Sequence, residues 1–173
     1  MCTCTTWTPC AAAAICKEEI QRLFGLPEAP DTPLLVIISR LVAHKGFDLV
    51  RTVLEEFIQD DVQVIILGTG EPVYEDYFRW IADRYPHKVG LSLSYNKPLA
   101  KCLYAGGDIF LMPSKSEPCG LAQMMASRYG TIPVVREVGG LFDTIKPYNP
   151  QTGDGNGVTF VSYNSYDMLD AMR

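Results

Sequence analysis

The chain has 173 residues, with 15 Lys and Arg against 20 Asp and Glu, a formal net charge of −5. An apolar share of 47% and a charged share of 20% are those of a folded globular protein, which excludes disordered, collagenous and coiled-coil chains. The acidic balance argues against nucleic acid or an anionic membrane as the main partner, and no apolar run approaches the ~18 residues of a membrane-crossing helix.

The first fourteen residues read MCTCTTWTPCAAAA. They lack the basic start of a secretory signal, and their apolar part is short and interrupted. Cys2, Cys4, Cys10 and Cys16 do not have the C-x2-C spacing of zinc sites, and no His lies near them, so no metal site is expected. Residues 1–14 are expected to be a poorly ordered leader or residues carried over from cloning, and residues 15–173 a single domain. Only Cys102 and Cys119 remain for the rest of the chain. That usage suggests reduced thiols in an intracellular protein.

From Ala14 onward the pattern is regular. Ile15, Ile20, Leu23 and Phe24 recur at helical spacing, with Gly25 as the stop. Leu34–Ile38 is a short, wholly apolar run, read as a strand covered on both faces. A polar loop, 39–46, leads into an amphipathic helix marked by Phe47, Val50, Val53, Leu54, Phe57 and Ile58. Val62–Leu67 is the next strand, closed by Gly68-Thr69-Gly70. Val73–Tyr85 is helical, with Tyr77, Trp80 and Ile81 on one face. Val89–Leu93 is a third strand and Lys97–Tyr104 a short helix. Ile109–Met112 is a fourth strand, stopped by Pro113, and Gly120–Tyr129 a helix stopped by Gly130. Ile132–Val135 is a fifth strand, followed by Gly139-Gly140 and a short helix from Leu141. A Pro/Asn/Gly-rich loop spans 146–157, Val158–Val161 is a sixth strand, and Tyr166–Met172 begins a helix.

Apolar strands alternating with helices imply parallel βαβ crossovers of one hand. The expected fold class is α/β: a Rossmann-like, doubly wound, mostly parallel six-stranded sheet with helices on both faces. Ligands of such sheets bind beyond the carboxyl ends of the strands, and polar, Gly-rich and charged segments follow the strands here at 39–46, 68–71, 94–96, 113–120 and 136–140.

Three segments carry candidate chemistry. In 39–46, Arg40 offers a planar fork and Lys45 a point charge for phosphate oxygens, and Gly46 opens a helix N-terminus that is itself an anion site. Two solvated surface cations would read the same way. In Pro113-Ser114-Lys115-Ser116-Glu117-Pro118-Cys119-Gly120-Leu121, a carboxylate precedes a helix start whose free N–H groups can hold phosphate or sugar oxygens. Glu117 there could equally serve the helix dipole. Cys119 as a nucleophile would need a base, and His44 and His87 are the only histidines. Gly68-Thr69-Gly70 matches the dinucleotide fingerprint only in part, because Val73 stands where its third glycine would be. That weighs against a nicotinamide-dependent oxidoreductase. Tyr95, after the third strand, could stack on a base or simply pack.

Taken together, SRLVAHKGFDLV (39–50), ILGTGE (66–71), the long run 106–144 with its EPCGL, RYGTIPVVR and GGL elements, and GNGVTF (155–160) resemble the C-terminal domain of bacterial glycogen synthases and plant starch synthases. The likeness runs in order from about Cys16 to Arg173. It implies the C-terminal, donor-binding half of a GT-B glycosyltransferase, transferring glucose from ADP-glucose to the nonreducing end of an α-1,4-glucan with retention. By this resemblance Arg40 and Lys45 meet the donor diphosphate and Glu117 the glucose at the reaction centre. The N–H groups of Cys119 and Gly120 face glucose hydroxyls, and those of Leu121 and Ala122 the distal phosphate. Tyr95 stacks on adenine, and Gly68 and Thr69 line the nucleotide cleft. No metal and no cofactor are implied. The partners implied are ADP-glucose or ADP and, through an amino-terminal acceptor domain that this sequence lacks, the glucan; neither nucleic acid nor membrane is among them. The location implied is the cytoplasm, or the plastid in a plant. The fragment alone is expected to be inactive; the alternative is a non-catalytic nucleotide- or glucan-binding module. Met125 stands where related retaining transferases often carry a second Glu, a position that glycogen synthases also leave non-acidic. Ser116 and Ala122 depart from the usual apolar and hydroxyl residues.

Overall fold

The structure is a computed structural model and describes residues 11–173. The expectation of a poorly ordered leader falls mainly on residues 1–10, outside the described residues. The elements in chain order are α1 (Ala11–Leu23), β1 (Leu34–Ile38), a 3-10 turn (Ala43–Lys45), α2 (Phe47–Phe57), β2 (Gln63–Leu67), α3 (Pro72–Arg84), β3 (Val89–Ser92), α4 (Lys97–Gly106), β4 (Ile109–Met112), α5 (Ala122–Tyr129), β5 (Ile132–Arg136), α6 (Gly140–Thr144), β6 (Val158–Phe160) and α7 (Ser165–Met172).

The six strands form one parallel sheet in the order β3-β2-β1-β4-β5-β6. Alternate residues of β1 feed two cores. Leu35 and Ile37 join the core built with α2, α3 and α7, and Leu34 and Val36 the core built with α1, α4, α5 and α6. This two-sided burial is why the strands read as unbroken apolar runs. The chain reverses its winding between β1 and β4, so the crevice beyond their carboxyl ends is the ligand position of this architecture.

Two helices present faces that differ in part from those expected, although Ile20 and Ile81 are buried. In α1 the buried side is Cys16, Lys17, Ile20 and Gln21, while Ile15 and Leu23 are exposed. The cause is polar: Lys17 donates from Nζ to Asp108 Oδ2 at 2.6 Å and to the Pro30 carbonyl at 2.9 Å. Gln21 donates to Gln63 Oε1 at 2.7 Å. These paired groups compensate the burial of a charge and an amide. In α3 the buried residues are Tyr74, Phe78 and Ile81, and Trp80 is turned outward. Cys16, in α1, and Cys102, in α4, are each disulfide-bonded, which corrects the expectation of reduced thiols at these positions. Among the described residues no helix is long and apolar enough to cross a membrane.

Candidate functional site: a carboxylate and a lysine at the switch point

The loops after β1 and β4 meet backbone to backbone. Gly46, at φ +83°, ends the 3-10 turn and starts α2; a Cβ there would stand 2.1 Å from the Pro113 carbonyl oxygen. No other residue permits both the left-handed backbone and that approach. The amides of Lys115 and Ser116 donate to the His44 carbonyl at 2.9 and 3.4 Å. This contact sets Lys45 beside Glu117, and the two form an ion pair, Nζ to Oε2. Their side chains are only 15% and 11% exposed, so water screens the pair far less than a surface pair. Ser114, fully buried, donates its hydroxyl to the same Glu117 oxygen at 3.3 Å.

The loop after β5 supports the other side. Gly140 donates its N–H to the Glu117 carbonyl at 3.0 Å, and a Cβ on it would fall 1.9 Å from the Cys119 carbonyl oxygen. Beyond Glu117 the chain turns into α5. Among the described residues the N–H groups of Cys119, Gly120, Leu121 and Ala122 donate to no protein acceptor. Those of Leu121 and Ala122 are the N-cap and first donors of α5, which with the helix dipole favour an anion or a polar oxygen, while those of Cys119 and Gly120 belong to the turn just before it. Gln123, buried behind them, donates from Nε2 to the Gly120 carbonyl and to Thr144 Oγ1, both at 3.1 Å, and holds that turn against α6.

Arg40 is exposed in the same loop as Lys45, and its guanidinium is in no ion pair among the described residues. Gly68 lies under this loop: a Cβ would come 1.8 Å from the Ser39 carbonyl oxygen. Thr69 is exposed, and its carbonyl accepts from the Leu41 amide at 2.9 Å. Cys119 is a free, exposed thiol, with no His beside it in any hydrogen bond or ion pair. Leu121 is exposed and Ala122 half-buried at the start of α5. The expected helix start at Gly120 moves to Ala122, because Gly120 takes the left-handed conformation at φ +68°. Tyr95, 84% exposed, follows the edge strand β3, with the Lys97 ammonium over its ring, 5.8 Å from the centroid. Thus Lys45 and Glu117 touch, the α5 start adjoins them in the chain, and Tyr95 stands apart. A cavity of about 830 Å³ lies elsewhere, at the outer edge of β3, lined by residues such as Phe24, Gly90, Leu99 and Cys102. None of the candidate residues lines it. Among the described residues no three His, Cys, Asp or Glu side chains gather as a metal site would need.

Residue-by-residue reading missed Ser114 and Arg136 as parts of this site. Both lay inside segments singled out by sequence. Their roles depend on carbonyls and on a buried hydroxyl, which leave no trace in residue type.

Residues 19–173 match the model of the family described as glycosyl transferases group 1. The chain belongs to the group 1 glycosyl transferases. Among the group's curated members it is 53% identical to a glycogen synthase of Bacillus cereus (strain Q1), over 91% of this chain and 33% of that protein. It is 48% identical to a glycogen synthase of Clostridium acetobutylicum over the same shares. The chain therefore spans about a third of the length of the curated relatives it matches. Among solved structures, the catalytic domain of starch synthase IV from Arabidopsis thaliana, bound to ADP and acarbose, superposes with a TM-score of 0.84 at 32% identity. That match covers 94% of this chain and 34% of the other. As a group 1 transferase the chain has the Rossmann-like sheet of one half of a GT-B enzyme.

Proposed function

We propose that this chain is the donor-binding part of a glycogen or starch synthase. It takes ADP-glucose and, with an acceptor-bearing half, extends the nonreducing end of an α-1,4-glucan with retention. The observation that carries this reading is the sheltered Lys45–Glu117 pair beside the unpaired N–H groups of 119–122 at the switch point.

The chemistry follows from charge. Cleaving the bond between glucose and ADP leaves a diphosphate that gains negative charge in the transition state. Lys45 and Arg40 are cations for that charge, and the N–H groups of Leu121 and Ala122 add dipoles for the distal phosphate; a donor held ready in this way lowers a barrier by roughly 3–4 kcal/mol. Without donor, Lys45 is neutralised by Glu117; an arriving diphosphate carries more charge and draws the ammonium toward itself. Glu117, still held by Ser114, then turns its carboxylate to the sugar, whose hydroxyls also meet the N–H groups of Cys119 and Gly120. Tyr95, already exposed, stacks on adenine, and Gly68 and Thr69 form the floor of the nucleotide cleft. The leaving phosphate accepts the acceptor's proton, so neither a metal nor a covalent role for Glu117 is needed.

Titration calorimetry with ADP and ADP-glucose tests this reading. The chain is expected to bind both weakly, and Arg40→Ala and Lys45→Ala to abolish measurable heat. Absence of ADP binding, or glucan binding without it, would overturn the donor site in favour of a glucan-binding module. The chain alone is expected to elongate no glucan; detectable elongation would refute that half of the proposal.

A further inference from the structure

Arg136 closes β5 on the side of the crevice that carries Glu117, yet it touches neither Glu117 nor Lys45. Its guanidinium donates to the Lys115 carbonyl at 3.1 Å, to the Ser114 carbonyl at 3.5 Å and to the Val161 carbonyl at 3.2 Å. It thus joins the ends of β5 and β6 to the loop after β4. The Tyr163 ring covers it at 5.2 Å and also faces the Lys115 ammonium at 5.4 Å. Tyr163 in turn donates its hydroxyl to the carboxylate of Asp48, in the first turn of α2. Burial, then the bond to Asp48, raises the Tyr163 pKa, so the phenol keeps its proton at neutral pH. A continuous chain of contacts therefore runs from the helix behind Lys45, through Tyr163 and Arg136, to the carbonyls of Ser114 and Lys115, three and two residues before Glu117.

We infer that Arg136, clamped by Tyr163, is a positioning residue for Glu117: its Nη1 holds the Lys115 carbonyl, with the Ser114 carbonyl at 3.5 Å, and its Nε the Val161 carbonyl, and so fixes the loop that aims the carboxylate. Its Nε meets the Val161 carbonyl while Nη1 meets the carbonyls of the loop after β4, so the rigid planar group fixes the spacing of the two loops, which a flexible ammonium would not. The Ser114 carbonyl it grips belongs to the residue whose hydroxyl holds Glu117, so a shift of that backbone moves the carboxylate directly.

The inference rests on the donor-site reading where sugar binding is concerned, and two experiments separate the two. Amide hydrogen exchange needs no nucleotide. In Arg136→Met the Lys115 and Ser116 amides are expected to exchange about tenfold faster while Val134 and Val135 keep their protection, the pattern of a local opening. Unchanged exchange at 115 and 116, or equal loss across β5, would overturn the inference. The second experiment is a double-mutant cycle on ADP-glucose affinity. Arg136→Met is expected to weaken binding about tenfold in the native background and less than about twofold beside Glu117→Gln, because residues acting through one group are not additive. Arg136→Lys is expected to fall between native and Met, and Tyr163→Phe to follow it in the same direction. An equal penalty in both backgrounds would mean a merely structural role and would refute the inference. If the native chain binds no ADP-glucose while the exchange result stands, the donor-site reading fails and the positioning of the loop survives.

Discussion

Tyr77 carries a buried hydroxyl with no partner among the described residues. Burial, followed by the charge of Glu55, raises its pKa to about 12, with Arg51 opposing. A tyrosine whose folded pKa lies above the unfolded value of ~10 costs nothing below that pH. Above it the unfolded chain sheds protons first, and stability falls as pH rises toward 12, at up to ~1.4 kcal/mol per pH unit. Tyr77→Phe is therefore expected to be neutral or stabilising by up to ~1 kcal/mol at pH 7. It should also flatten the alkaline decline in urea midpoints between pH 10 and 12. An unchanged alkaline slope would contradict this account. Lys45 and Glu117 invite a different test. Removing either one leaves a sheltered charge alone, so Lys45→Met or Glu117→Gln should each cost ~1–3 kcal/mol, and the double variant less than the sum. Denaturant unfolding of the three variants measures this. Both residues lay in the segments after β1 and β4 that the sequence singled out, although solvated charges or a helix-dipole role would have read the same way; their contact is what the structure adds. The link from Arg136 to Tyr163 and Asp48 was not legible in the sequence. It joins α2, the end of β5 and the loops after β4 and β6, distant in sequence, and runs through carbonyls, which carry no residue-type signal.

At the scale of elements, the periodicities placed every strand and helix among the described residues to within a few positions. On the buried faces of α1 and α3 they were right for Ile20 and Ile81 and wrong for Ile15, Leu23 and Trp80. Hydrophobic spacing ranks Ile15 and Leu23 as core, but the chain buries Lys17 and Gln21, because Asp108 and Gln63 wait for them across the sheet. The same clasp draws Asp108 Oδ2 onto the Leu34 amide at 2.7 Å, pinning the first residue of β1. Lys17→Met should thus destabilise the chain by ~1–3 kcal/mol, at the low end of a buried-pair loss because the Asp108 side chain is 43% exposed. Chemical denaturation would show it, and no change would mean that the clasp is dispensable. Gly46→Ala attacks a different joint. It combines a strained backbone with a clash on Pro113, so a loss of ~2 kcal/mol or more is expected. Its ADP affinity should fall as well, since the loops after β1 and β4 must part.

For the whole molecule, alternation of strands and helices was enough to specify a parallel, doubly wound sheet, since few other arrangements bury a wholly apolar strand. The order of strands was not contained in the periodicity. It depends on which crossovers turn outward from β1, and the reversal between β1 and β4 became visible only in the assembled sheet. That reversal gives the donor reading a global consequence. A ligand bound only by the folded crevice stabilises the fold by mass action, by ~2.7 kcal/mol at a hundredfold excess over Kd. Saturating ADP should therefore raise the melting temperature of the native chain and leave Arg40→Ala/Lys45→Ala unmoved. An equal rise in both would place the nucleotide elsewhere.

The crevice rim is stitched by glycines whose absent side chains let Gly46, Gly68 and Gly140 touch the carbonyls of Pro113, Ser39 and Cys119. A saturation-mutagenesis map scored on growth or turnover would mark these positions as intolerant as Glu117, although none has a side chain to offer a substrate. Intolerance around this rim then reports seam geometry as much as chemistry, and only variants sorted by soluble yield would tell the two apart.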